Sequence, residues 1–235
     1  MKRRDFSLLA GGATAVAGTL WSASAAALTK VPVKPVADAP EAAKSEAIKV
    51  VAGTDYLPLD PRAPVEAPAG KIEVVEFFWY SCPHCNAFEP RFAAWIKALP
   101  KDVVVKRVPV RFRDDFEAQQ RAYYVFESLG VVDAMHGKLF HAIHTERQTL
   151  NTGAALAAWA GKNGMSEQKF TETFNSFGVA TKARRATQLQ EAFKVQGVPA
   201  LGIAGRFYTD GSLTGSMERA VQVTDYLLGE VRRGR

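Results

Sequence analysis

The feature that most restricts this 235-residue chain is Ser81-Cys82-Pro83-His84-Cys85, set between the apolar run Ile72 to Tyr80 and a helix-like stretch beginning Asn86-Ala87-Phe88-Glu89. Cys82 and Cys85 are its only cysteines. A Cys-x-x-Cys pair where a strand ends and a helix begins sets one sulfur near the helix N-terminus, whose unpaired N–H groups and dipole stabilise a thiolate. Closing so small a ring removes little loop entropy from the unfolded chain, so the pair reads as redox chemistry rather than as a staple.

The surrounding sequence carries a strand pattern before the motif and a helix pattern after it. Ile72-Glu73-Val74-Val75-Glu76-Phe77-Phe78-Trp79-Tyr80 is β-branched and aromatic, as a buried central strand requires. Cys85 to Leu99 places Phe88, Phe92, Trp95, Ile96 and Leu99 at helical spacing until Pro100. Val103 to Val110 is the next strand, which makes a β-α-β unit with parallel strands. From Asp114 to Phe177 the texture is helical: Phe116 to Leu129, Asp133 to Thr145, Thr152 to Lys162 and Ser166 to Phe174 are short amphipathic segments. Gly130, Asn151, Asn163 and Gly164 punctuate them. Ala180 to Val195 is a longer helix. Gln196 to Ile203 and Arg206 to Tyr208 are strands across an Ala204-Gly205 turn, and Met217 to Val231 is a terminal helix.

The ends carry a different message. Basic Lys2-Arg3-Arg4, a weakly apolar stretch from Phe6 to Leu20 and small residues Ala23 to Ala27 form the three parts of an export signal over 1–27, cleaved after Ala25 or Ala27. Arg3-Arg4-Asp5-Phe6 and the glycine-diluted core look like a twin-arginine signal, with a Sec signal as the alternative. An uncleaved membrane anchor is the competing reading, and the Gly, Ser and Thr content argues against it. Leu28 to Pro68 is rich in proline and alanine and reads as extended chain. The linker is taken as 28–47, with the folded part beginning at Ile48-Lys49-Val50-Val51, an expected edge strand. Export predicts a disulfide-permissive compartment, the periplasm, where an isolated pair of thiols is catalytic rather than framework. The net charge of +6 sits partly on the two termini. No zinc finger, RNP-like aromatic motif or basic reading helix accompanies it, so nucleic acid is not the expected partner.

Cys82, as the more N-terminal sulfur, is the candidate nucleophile, and Cys85 lies one turn in. Pro83 and His84 stand between them, and the imidazole can donate to or charge-stabilise the thiolate. A closed zinc site would need four ligands, and no other cysteine exists to join Cys82, His84 and Cys85. His136, His141 and His144 read as ordinary surface or packed histidines. Glu76, in a strand covered on both faces, requires a partner such as Lys106 or Arg107. It is either a satisfied ion pair or a proton-transfer aid for Cys85. Phe77 to Tyr80 reads as core, with Tyr80, beside the motif, as a candidate substrate contact. Val198-Pro199 sits where a strand begins, a place that tolerates proline.

This order, with Cys-Pro-His-Cys ending the first strand and Val198-Pro199 far downstream of a helical insert, resembles the DsbA family of periplasmic thiol-disulfide oxidoreductases. Val75-Glu76-Phe77-Phe78 before the motif and Phe88-Glu89 after it carry the same resemblance, which covers about Val50 to Arg233. It implies an α/β thioredoxin fold, residues 48–113 and 180–235, interrupted by an all-helical insert at 114–179. It implies a dithiol oxidase that donates the Cys82–Cys85 disulfide to reduced, unfolded exported polypeptides. By the same resemblance Pro199 is cis and packed beside the sulfurs, the Val198 backbone pairs with an extended substrate, and Glu89 joins Glu76 in proton transfer. A quinone-coupled membrane oxidase of the DsbB type reoxidises the protein, which works as a monomer without organic cofactor or metal. A reductase or isomerase of the same fold is one alternative; a non-enzymatic holdase for unfolded exported chains is another.

Overall fold

The computed structural model describes residues 49–234. The expected export signal, the linker and Ile48 lie outside the described residues. The run Ile72-Glu73-Val74-Val75-Glu76-Phe77-Phe78 forms strand β2 (Ile72–Phe78), followed by helix α1 (Pro83–Ala98) and strand β3 (Val103–Pro109). β2 and β3 are parallel over their full length, from Ile72 opposite Val103 to Phe78 opposite Pro109. A short 3₁₀ turn (Asp114–Phe116) leads into five helices: α2 (Glu117–Ser128), α3 (Val132–His144), α4 (Gly153–Lys162), α5 (Glu167–Phe174) and α6 (Phe177–Ala192). The expected domain boundary at 179/180 therefore cuts through α6. Strands β4 (Ala200–Ile203) and β5 (Phe207–Asp210), a short helix α7 (Gly211–Thr214) and α8 (Met217–Arg232) complete the chain.

With β1 (Leu57–Pro58) the strands make one mixed sheet of order β1-β5-β4-β2-β3. Of the edge strand expected at 48–51, the described residues 49–51 form none. Val51 and Ala52 enter a turn closed by Val51 N–H donating to Asp55 Oδ2, and the edge is supplied by Leu57–Pro58 against β5. The proline-rich chain beyond it is not free linker either, because the Leu59 and Ala63 N–H groups donate to the Arg206 and Gly205 carbonyls. Three scattered prolines removed too few donors to prevent that lacing.

The two-residue period of a strand decides what each face carries. Val74 points to the layer of α1 and α8, where it packs with Phe88, Phe92, Val223 and Leu227. Val75 and Phe77 point the other way, into the core shared with the helical segment. Full burial of one such side chain contributes about 1.5–3 kcal/mol. Glu76, two residues from Val74, is thereby turned toward α1, the helix that carries the cysteines. Gly202 allows the close approach on the other face, since a Cβ there would lie 2.2 Å from the Phe193 ring. Ala204 and Gly205, both at positive φ, reverse the chain between β4 and β5 as the sequence suggested.

Candidate active site

α1 begins without a side-chain oxygen to cap it. Cys82 occupies the N-cap position with extended backbone, and Pro83 supplies the first helical residue, where its missing N–H is no loss. The N–H groups of the first turn are left to the Cys82 sulfur. Both cysteines are free thiols. Cys82 is 7% exposed and Cys85 1% exposed, so the outer sulfur is more accessible than the inner one yet still recessed.

Their surroundings split the two thiols. The Cys82 pKa is lowered to about 6, first by the hydrogen bond from the Cys85 thiol, which outweighs burial. The N–H groups of Cys85 and His84 add to the effect, and the His84 charge adds less. The Cys85 pKa is pushed well above the ordinary thiol range, chiefly by burial, then by Cys82 and, after it, the nearby Glu76 carboxylate. The sequence assigned the stabilisation to the helix start and His84; the largest contributor is the partner cysteine.

The Val198–Pro199 bond is cis. It brings the Val198 carbonyl oxygen to 3.4 Å from Cys82 Sγ, whose thiol donates to it, across 116 residues of sequence. Pro199 is buried and Val198 half-buried. Beside them a groove of about 370 Å³ is lined by His84, Val198, Pro199, Asp210, Ser212 and Met217. α7, absent from the sequence reading, shapes its wall. Asp210 caps that helix by accepting from the Ser212 and Leu213 N–H groups, and Gly215 ends it in the left-handed conformation. An Asp followed five residues later by Gly was the signal that was available.

Behind the sulfurs lies a row of buried charge. Glu76 is 1% exposed, and Arg107 Nε donates to its Oε2 at 2.9 Å. The other end of the same guanidinium donates to Glu89 Oε1 at 2.6 Å. Lys106, the other candidate partner, pairs instead with Glu66 at 2.7 Å. Burial pushes Glu76 up to about 8 against the pull of Arg107.

Tyr80 is placed differently from expectation. Its ring is fully buried, its hydroxyl is hydrogen-bonded with His136 Nδ1 at 2.9 Å, and its carbonyl accepts from His144 Nε2 at 2.8 Å. A side chain so enclosed is core and offers nothing to a bound chain. Gln119, which sequence reasoning passed over, does touch the motif. It accepts from the Ser81 N–H at 3.1 Å, and its amide donates to Ser81 Oγ at 2.7 Å and to the Leu150 carbonyl at 2.9 Å. Trp79 stacks on Phe116 with ring centroids 3.9 Å apart. The three residues before Cys82 are thus each held by the segment between β3 and α4. Among the described residues no group of three His, Cys, Asp or Glu side chains is arranged to hold a metal.

Comparison with known proteins agrees with this geometry. The DSBA-like thioredoxin domain model matches residues 73–222. The thiol:disulfide interchange protein DsbA of Bordetella parapertussis is 42% identical over 179 residues, 76% of this chain and 85% of the relative. That of Pseudomonas aeruginosa is 37% identical over 188 residues, 80% of this chain and 89% of the relative. Among solved structures, Pseudomonas aeruginosa DsbA superposes with a TM-score of 0.75 at 37% identity, covering 79% of this chain and 96% of that one. DsbA from Xylella fastidiosa gives 0.73 at 32% identity, covering 80% and 100%. A strand-motif-helix junction, the Val198 carbonyl at the outer sulfur and a family match across most of the chain converge: the chain belongs to the DSBA-like thioredoxin domain family and is a thiol:disulfide oxidoreductase.

Proposed function

We propose that Cys82 is the sulfur that exchanges with substrate and that Cys85, Glu76, His84, Pro83, Pro199 and Val198 serve it, in a protein that donates its disulfide to exported polypeptides. The carrying observation is the split between the two thiols, Cys82 lowered to about 6 and Cys85 raised. A substrate thiolate attacks Cys82 Sγ of the Cys82–Cys85 disulfide, the S–S bond breaks, and Cys85 leaves and takes a proton, for which the Glu76 carboxyl is the nearby donor. A second substrate thiolate attacks the substrate sulfur of the mixed disulfide. Cys82 then leaves as a thiolate that needs no proton at neutral pH. Two electrons pass from the substrate dithiol to the protein. A low leaving-group pKa makes the last step fast and the disulfide oxidising.

The groove beside Val198 supports an extended, sequence-tolerant client, because a backbone carbonyl held at the sulfur offers main-chain pairing to any residue. Pro83 and His84, at the first two helical positions, leave the helix start open on that side. The family resemblance supports a DsbB-like, quinone-coupled membrane oxidase as the source of new disulfides. It also supports a monomer, with residues 48–113 and 180–235 as the thioredoxin-like part around an insert at 114–179. The signal-like 1–27 and the proline-rich 28–47 support export to the periplasm.

Stoichiometric oxidised protein mixed with a reduced, unfolded substrate should form substrate disulfides, and Cys82→Ser should lower that rate by at least about a thousandfold. A Cys82→Ser protein that still oxidises would overturn the site. A redox potential against glutathione as negative as the thioredoxin couple would overturn the direction and favour a reductase.

A further inference from the structure

The Glu76–Arg107–Glu89 row contains two carboxylates and one guanidinium, so one carboxyl can hold a proton at neutral pH without leaving an unbalanced charge in the interior. Arg107 reaches both, Nε to Glu76 and a terminal nitrogen to Glu89, and does not by itself decide which one is protonated. Position contributes, since Glu76 is fully enclosed. The second contributor comes from the helical segment. His136 of α3 is 4% exposed and boxed by the rings of Phe78, Tyr80 and Phe140 at 5.1–5.3 Å between centroids.

The hydrogen-bond pattern around His136 assigns its tautomer. Nε2 faces the Glu89 carboxylate, where a ring N–H is favoured over a lone pair, so the ring proton is assigned to Nε2. Nδ1 is then the acceptor for the Tyr80 hydroxyl, 2.9 Å away. Burial also lowers the His136 pKa, so the ring is neutral and carries that single proton. Nε2 lies 3.3 Å from Glu89 Oε2, close but off the line of a full hydrogen bond, and neither atom has another partner. A groove of about 470 Å³ between α1 and α3 is lined by Glu89, Arg107 and His136. Burial alone would raise the Glu89 pKa; His136, and after it Arg107, outweigh burial and bring it below the ordinary carboxylate range.

We propose that His136 is a positioning residue that holds Glu89 as the ionised partner of Arg107 and thereby leaves the exchangeable proton to Glu76, the carboxyl beside Cys85. The inference rests on the reading of Glu76 as the proton donor to Cys85 and adds what aims it. Without His136 the two carboxyls would share the proton, and part of it would reside on Glu89, where it faces the groove and not the sulfur. The other titratable groups facing the row are Cys85 from α1, Tyr123 from α2 and Asp133 from α3; Tyr123 stays neutral through burial, and Asp133 touches the balance only through His136.

Carboxyl ¹³C titrations of the full-length reduced protein, assigned with Glu76→Gln and Glu89→Gln, test this directly. The wild type should show Glu76 titrating near 8 and Glu89 titrating below the ordinary carboxylate range. His136→Phe, which keeps the ring and removes the N–H, should raise the Glu89 midpoint and lower that of Glu76, each by about one pH unit. His136→Gln, whose amide can still donate, should restore the wild-type pattern. Unmoved midpoints in His136→Phe, or equal shifts in both variants, would overturn the proposal. Should His136→Phe fail to fold, Tyr80→Phe releases Nδ1 at no steric cost, and Glu89 must then move in the same direction by a smaller amount; an unmoved Glu89 would overturn it. The pH profile of reoxidation by oxidised glutathione separates the two readings. If Glu76→Gln leaves that profile unchanged, the proton-donor reading of Glu76 fails, while the carboxyl titrations still judge His136.

Discussion

Cys82 and Cys85 share one turn of α1, and their surroundings act on them in opposite directions. Around Cys82 every fixed donor is available to a negative sulfur: the Cys85 thiol, the N–H groups of His84 and Cys85, and the His84 ring. Around Cys85 there is apolar packing and a carboxylate. The chain places one sulfur at the helix cap and the other at the third helical residue, one turn deeper along the helix and the more enclosed of the two. Direction of exchange follows from that difference rather than from either thiol alone. On the proposed mechanism an incoming thiolate attacks the sulfur that can be reached, and the sulfur that departs last is the one that tolerates negative charge.

Substitutions can break one half of this contrast while sparing the other. Arg107→Met strikes the buried half, leaving Glu76 and Glu89 without their shared cation; stability should fall by about 3–5 kcal/mol in urea unfolding. The Cys82 thiolate absorbance midpoint should move far less, because Arg107 is not among the groups that set it. Loss of thiolate in that variant would show that the two halves are not separable.

The second effect is a pH dependence. Cys82 has a folded pKa depressed to about 6, so its ionisation adds stability to the reduced form that is fully present above the unfolded thiol range near 8.5 and is lost as pH falls toward 6. Glu76 has a folded pKa raised to about 8, so its contribution is present at low pH and is lost as pH rises from the ordinary carboxylate range to 8. The two slopes oppose each other between 6 and 8. The oxidised form has only the carboxyl contribution. The stability of the reduced form minus that of the oxidised form should therefore rise between pH 6 and 8.5, by a few kcal/mol at most after solvent screening. A flat difference would remove the thiolate from the account.

Smaller effects rank the donors. Cys85→Ala should raise the Cys82 pKa by about one unit or more, because it removes the largest contributor. His84→Leu should raise it by less than that, since the His84 N–H remains and only the smallest contributor is lost. Thiolate absorbance titrations of both variants give the order directly, and the reverse order would put the imidazole ahead of the partner sulfur.

Much of the frame was legible because it depends on local pattern. The β-branched run before the motif, the 3.6-residue spacing from Phe88 to Leu99 and the turn at Ala204-Gly205 each predict an element that is present within a few residues. What was not legible depends on register and reach. Lys106 and Arg107 were equivalent candidates for Glu76 until the pairing of Glu76 with Arg107 across β2 and β3 fixed which one lies beneath α1. Tyr80 next to the motif suggested a contact surface, and only the packing of α3 onto β2 shows it enclosed. His136 and Gln119 lie 54 and 37 residues downstream of Cys82, with no local sign that one meets Glu89 and the other Ser81. α7 is four residues long, below the length at which periodicity speaks, and only its capping Asp210 and closing Gly215 announce it.

The sheet has two outer strands, and both are poor templates. β1 is two residues long and ends in Pro58, which has no N–H to offer. β3 carries Lys106 and Arg107 along its length and closes on Pro109. Charges and prolines on edge strands discourage foreign chains from adding to a sheet. If the clients are the unfolded polypeptides proposed above, they bring sticky strands to every encounter, and blunted edges leave pairing to the Val198 carbonyl beside Cys82. Resistance to co-aggregation with such clients would then follow from the same few residues that end the sheet.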